Sequence, residues 1–174
     1  INNNVPVISG TTGWLDKYEE AVKLCKEKKS AFIYASNYSL GVNIFFELNK
    51  QLAKMMHHLS DYDISMEEIH HTKKLDAPSG TAITLAEGII ENSSKKNWEL
   101  GTKTSEENIS IIAKRIPKIP GTHSVWYDSK VDSLEIKHTA NSREGFALGA
   151  VVAAEWILGK EGIFTMKDVL NIDS

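Results

Sequence analysis

Glu68-Ile69-His70-His71-Thr72-Lys73-Lys74-Leu75-Asp76-Ala77-Pro78-Ser79-Gly80-Thr81-Ala82 is the densest run of reactive side chains in the chain, and the fold is read outward from it. Upstream, Tyr62, Ile64 and Met66 alternate with Asp63, Ser65 and Glu67, the two-residue period of a half-buried strand, so the run opens at a strand end. Downstream, Asp76-Ala77-Pro78-Ser79-Gly80 has the composition of a loop. Ile83, Ala86, Ile89 and Ile90 then recur at helical spacing, predicting a helix from about Thr81 whose N-terminus faces that loop.

These residue types point to proton and anion chemistry. Histidine titrates near neutrality and serves as a general acid, while a nearby lysine stays cationic, holds an anion and stabilises developing charge. The pair suits reduction of an acidic imine. A Ser-Gly-Thr turn leading into a helix offers unpaired backbone N–H groups, hydroxyls and a positive dipole end for a carboxylate or phosphate. Ser79 and Thr81 serve as helix caps or as ligand contacts, and the pattern leaves both open. His70 and His71 point to opposite faces of a strand, so one does chemistry while the other packs or orients substrate. No His-x-x-x-His pair or cysteine cluster accompanies them, so no metal is expected. The rival reading, a metal-dependent hydrolase, would draw on His70, His71, Asp76 and His123.

On the amino side, residues 5–9 form a short apolar strand closed by Gly10-Thr11-Thr12-Gly13. Leu15, Tyr18, Val22 and Cys25 follow at helical spacing, and residues 31–35 form a second apolar run, so a parallel βαβ unit is expected. Residues 41–57 carry Val42, Phe45, Leu48, Leu52 and Met55 on one face of an amphipathic helix that Ser39 can cap, with its Phe and Met residues in the core. On the carboxyl side, 92–107 reads as a polar connection. Residues 109–116, 123–127 and 134–138 alternate as three strands of an antiparallel or mixed sheet. A last long helix over about 143–158 is rich in Ala and Gly, implying close packing, and the tail at 164–170 docks after it. The pattern therefore reads as α/β followed by α+β.

Composition narrows the partner. A net charge of −3 with Lys and Arg scattered among Asp and Glu leaves no basic face for nucleic acid or acidic lipid, so a small molecule is expected. No apolar run reaches the roughly 20 residues needed to span a bilayer. The lone Cys25 excludes an internal disulfide framework and fits a reducing cytoplasm. His57 and His58 end a helix, and His123, His138, Lys137 and Arg143 are isolated polar residues in or near strands; all six are given structural roles.

The run 68–82 resembles the signature of dihydrodipicolinate reductases, E-x-H-H-x-x-K-x-D-A-P-S-G-T-A, at every fixed position. Gly10-Thr11-Thr12-Gly13 resembles that family's turn after a nucleotide-domain strand, and Ala35-Ser36-Asn37-Tyr38-Ser39-Leu40-Gly41-Val42-Asn43 its A-x-N-F-S-x-G-V-N segment, with Tyr38 in place of Phe. Later blocks, Pro120-Gly121-Thr122-His123-Ser124-Val125, Ile136-Lys137-His138-Thr139-Ala140 and Phe164-Thr165-Met166-Lys167-Asp168-Val169-Leu170, agree in order, so the resemblance covers nearly the whole chain.

The resemblance implies reduction of 4-hydroxy-tetrahydrodipicolinate to tetrahydrodipicolinate by NADPH or NADH, in lysine and diaminopimelate synthesis. It makes His70 and Lys74 catalytic, His71 a substrate contact, and Ser79, Gly80 and Thr81 the holders of a substrate carboxylate. Gly10, Thr11, Thr12, Ala35, Ser36, Asn37 and Tyr38 are implied as cofactor contacts. Residues 1–39 are then the carboxyl-terminal part of a Rossmann-type nucleotide-binding domain. Residues 40–143 are a substrate-binding domain with a mixed sheet through which a homotetramer assembles, and 144–174 return to the first domain. The family's glycine-rich G-x-x-G-x-M-G turn, which holds the cofactor pyrophosphate, does not occur in these residues. Weak cofactor binding by these residues alone follows, with a non-catalytic substrate-binding and oligomerising fragment as the alternative reading.

Overall fold

Val7–Ser9 and Ala31–Tyr34 are short apolar runs flanking one amphipathic helix, and they pair in parallel as β1 and β2, with α1 (Tyr18–Glu27) as the crossover. The expected βαβ unit is present. In the computed structural model, which describes residues 1–172, a third strand, β8 (Gly162–Phe164), adds parallel to β2. Trp14, Tyr18, Phe32 and Tyr34 pack edge-on or tilted against one another, with ring centroids 5.8 to 6.2 Å apart. A second cluster gathers Ala31, Ile33, Tyr38, Ala153, Ile157 and Met166. The small residues of α4 (Glu144–Trp156) matter there: a Cβ on Gly149 would lie 1.7 Å from the Tyr38 carbonyl oxygen, so only glycine lets the backbones approach. The tail forms β8 and the one-turn α5 (Met166–Val169), closed by a capping box between Thr165 and Asp168. These parts make one unit, residues 1–43 with those from 144 onward.

Residues 44–143 make the other unit. Its sheet has the strand order β4-β5-β3-β6-β7, where β3 is Asp63–His70, β4 Asn97–Leu100, β5 Asn108–Arg115, β6 Gly121–Asp128 and β7 Ser133–Ala140. The sheet is mixed. β4, β5 and β3 run parallel, and β6 and β7 pair antiparallel beyond β3. α2 (Leu40–Met56) and α3 (Gly80–Ile90) supply Phe45, Leu52, Ala82, Leu85, Ala86 and Ile89 to a core built with Ile64, Met66, Ile109, Ile111, Val125 and Tyr127. The helices meet closely at Gly88, where a Cβ would lie 3.2 Å from the Lys50 side chain.

Two local expectations are corrected. Residues 92–107, read as a polar connection, contain β4; this four-residue edge strand half-buries only Trp98 and Glu99, too little apolar alternation to show in sequence. On α2, Leu48 and Met55 are 55% and 69% exposed instead of core. The buried stripe runs through Phe45, Asn49, Leu52 and Ala53, about a quarter of a turn away. Asn49 is admitted there because its amide donates to the Leu85 carbonyl at 2.9 Å. No described helix is long and apolar enough to cross a membrane.

Candidate active site

Strand alternation sends Ile64, Met66, Glu68 and His70 to the helix-covered face of the sheet, and burial follows that period along β3. The first two enter the apolar core; the last two put a carboxylate and an imidazole at its end. Register supplies their neighbours. Glu68 stands opposite His123 of β6, His70 opposite Arg115 of β5, and His123 opposite His138 of β7. Ser79, the N-cap of α3, closes the group.

Glu68 is wholly buried and is the hub. Arg115 Nη2 donates to its Oε1 at 3.0 Å, and the backbone N–H of Ser79 donates to Oε2 at 2.9 Å. On the same Oε2, His70 Nδ1 lies at 3.6 Å and His123 Nε2 at 3.7 Å, just beyond direct hydrogen bonding. The two rings are 5.0 Å apart and nearly perpendicular. The Ser79 hydroxyl accepts from the Ala82 N–H and lies 3.1 Å from His123 Nε2. Burial by itself pushes the Glu68 carboxyl up, but the close His123 imidazole and the hydrogen bonds from Ser79 and Arg115 outweigh it and hold the group at about 2. Burial holds His70 down at about 4, with His123 adding to the effect and Glu68 opposing it. At neutral pH the carboxylate is charged and His70 is neutral.

Lys74 sits at the mouth, its Nζ 2.8 Å from both carboxyl oxygens of Asp76. That contact draws the Asp76 carboxyl below its usual range. Arg115 also donates to the Asp76 carbonyl at 2.6 Å, tying the loop to the hub. The helix start is divided in its duties. Ser79 spends its N–H and its hydroxyl inside the protein, as cap and as partner of Glu68 and His123. The first-turn N–H groups of Gly80 and Thr81 have no partner within the helix. A Cβ on Gly80 would meet nothing within 4 Å, so the approach to these donors is open. His71, one residue past β3, is half-buried and has no side-chain hydrogen bond among the described residues.

The expected cofactor contacts lie on two loops at the carboxyl ends of adjacent parallel strands, where ligands of open α/β sheets bind. Gly10, Thr11 and Thr12 follow β1 and are exposed; the Trp14 indole holds the Thr11 carbonyl at 2.6 Å. Ala35 and Ser36 follow β2, with the Ala35 N–H donating to the Ser9 carbonyl. Asn37 shapes the turn, its Oδ1 accepting from the Ser39 N–H at 2.9 Å. Tyr38 turns inward and is buried, its hydroxyl donating to the Ser9 and Ile33 carbonyls at 3.0 and 3.3 Å. Burial raises that phenol to about 12. Its ring also lies 3.2 Å from where a Gly10 Cβ would stand, so Gly10 leaves room for the Tyr38 ring. Exposed backbone and the hydroxyls of Thr11, Thr12 and Ser36 fit one end of a nucleotide cofactor.

Glu68, His70 and His123 have donor atoms within 4.8 Å of one another, near enough for a cation. Each Glu68 oxygen already accepts one hydrogen bond, from Arg115 or from Ser79, and the guanidinium opposes a second positive charge, so the donor set suits protons better than a metal. Asp76 turns to Lys74 and does not join them. Glu68 and Arg115 are therefore members of the cluster that local pattern did not single out, and His123 entered only through the metal-hydrolase reading. Glu68 had a readable signal, its two-residue spacing from His70. Arg115 and His123 had none, since only strand register brings them in.

Residues 41–170 match the family model described as dihydrodipicolinate reductase, C-terminus. The chain is 62% identical over 168 residues to the 4-hydroxy-tetrahydrodipicolinate reductase of Christiangramia forsetii, aligning 96% of this chain with 70% of that protein. It is 40% identical over 173 residues to the same-named protein of Methanosarcina acetivorans, aligning 97% of this chain with 65% of the relative. Among solved structures, a dipicolinate-bound dihydrodipicolinate reductase from Paenisporosarcina sp. TG-14 superposes with a TM-score of 0.73 at 23% identity, covering 99% of this chain and 66% of that one. The fold is shared with that enzyme.

Proposed function

The chain belongs to the dihydrodipicolinate reductase family, and on that premise we propose that it serves the NAD(P)H-dependent reduction of 4-hydroxy-tetrahydrodipicolinate to tetrahydrodipicolinate in the cytoplasm. The observation that carries this reading is the buried, ionised Glu68 flanked by two imidazoles, beside an open helix start and a lysine. When bound, the nicotinamide supplies a hydride to the ring carbon, and the hydroxyl leaves as water once a proton is provided.

The protein's residues divide the remaining work. Lys74 exchanges Asp76 for one substrate carboxylate, and the N–H groups of Gly80 and Thr81 receive the other at the positive end of α3. His71, beside them, makes a further substrate contact. His70 holds the proton. It is neutral in the ligand-free site, and a dicarboxylate placed beside it adds negative charge and raises its proton affinity, so binding and protonation are coupled. Gly10, Thr11, Thr12, Ala35, Ser36 and Asn37 contact the nicotinamide end of the cofactor, and Tyr38 supports them through its backbone and its packing. We also propose a homotetramer assembled through the substrate-domain sheet. α2 and α3 cover one face of that sheet, and Ile69, Ile112 and Trp126 lie on the other.

The test is a reductase assay on the purified protein with NADPH and with NADH, comparing wild type, His70→Gln and Lys74→Met. Loss of about a hundredfold in kcat/KM for either variant is expected, the usual scale for a general acid or a charge-stabilising group. Near-normal rates in both would overturn the assignment.

A further inference from the structure

His123 lies outside the motif, on β6, yet it faces the same Glu68 oxygen as His70 at nearly the same distance, through Nε2 where His70 uses Nδ1. Its Nε2 is 3.7 Å from Glu68 Oε2, and His70 Nδ1 is 3.6 Å from the same oxygen. Both imidazoles are more than nine-tenths buried, and His70 Nδ1 has no hydrogen-bond partner. Resting on the reading of His70 as the proton donor, we propose that His123 is a positioning residue for the reduction, sharing one proton with His70 across Glu68 and so setting when His70 is charged.

The count of charges around the hub carries the argument. From β5, Arg115 already presents one positive charge to Glu68, and from the loop Lys74 presents another, largely answered by Asp76. From β3 and β6 come the two imidazoles, from β7 His138 behind His123, and from α3 only the neutral Ser79. One carboxylate therefore faces one fixed cation and two imidazoles. A single proton on the pair is balanced by Glu68, but a second would put two imidazolium rings 5.0 Å apart beside a guanidinium, with both histidines buried. Charging both rings at once is therefore disfavoured, and the neighbouring His123 lowers the proton affinity of His70. The separations to Oε2 are slightly too long for hydrogen bonds in the ligand-free site, so a small movement of either ring decides which one takes the carboxylate. The Ser79 hydroxyl, 3.1 Å from His123 Nε2 and fixed by the Ala82 N–H, links that choice to the start of α3, where the substrate carboxylate docks in the proposed reading.

Imidazole resonances of the purified protein, titrated by NMR in wild type, His123→Asn and His70→Gln, test this without any assay of activity. The His70 midpoint should rise by about one pH unit in His123→Asn, as removal of a neighbouring like charge requires. His70→Gln assigns the His70 resonance by its loss. His123→Gln replaces His123→Asn if that variant does not fold. Unmoved midpoints in folded variants would overturn the proposal and leave the reductase reading standing. Moved midpoints alongside unimpaired turnover in His70→Gln would do the reverse.

Discussion

At the scale of single residues, Glu68 organises the site although it need not touch substrate. A fully buried carboxylate persists only when donors replace water, and Arg115 and Ser79 supply them. Its pH behaviour follows. The Glu68 carboxyl is held at about 2, below its ordinary 4.5, so the stability it confers is present above about 4.5 and is lost as pH falls toward 2. His70 acts in the same direction over a higher window. Between its ordinary 6.5 and about 4 the unfolded chain takes up a proton that the folded site refuses. Thermal unfolding followed from pH 7 to pH 2 should show stability falling with pH, the Glu68 share being on the order of 3 kcal/mol. Glu68→Gln should be less stable at pH 7 and lose the dependence between 4.5 and 2; an unchanged acid limb would show that Glu68 is not the charged hub.

At the scale of elements, much was legible because local geometry imposes short periods. The two-residue alternation of β3, the Ser79 cap and the helix after it, and the βαβ order of the first strands all follow from backbone spacing. β4 escaped because an edge strand buries little, and the α2 stripe was misplaced because Leu48 and Met55 are apolar without being inside. The start of α3 left two readings of Ser-Gly-Thr, and the structure distributes them by residue. Ser79 is a cap, while Gly80 and Thr81 keep free first-turn donors. Gly80→Ala separates capping from binding. A methyl there meets no atom within 4 Å, so stability should match wild type, whereas KM should rise severalfold if a carboxylate docks on that N–H. Unchanged KM with unchanged stability would move the carboxylate site elsewhere.

At the scale of the whole molecule, the five-stranded sheet is covered on one face by α2 and α3 and carries Ile69, Ile112 and Trp126 on the other. If copies meet there, sedimentation of the purified protein should give four chains per particle, and Trp126→Glu should reduce it to smaller species without loss of helix content. A wild-type monomer at micromolar concentration would remove the tetramer. The sequence alone determined the order of the elements apart from the short strands β4 and β8, the proton-carrying and anion-holding groups in 68–82, and the resemblance that identifies the family, because each depends on residues within a few turns or one motif. Only the tertiary structure decided that Arg115 and His123 join Glu68 and His70. Strand register across 47 residues in one case and 55 in the other sets those contacts (115 − 68 = 47; 123 − 68 = 55). Register arises from how two helices and five strands share one core, a long-range balance to which no local spacing responds.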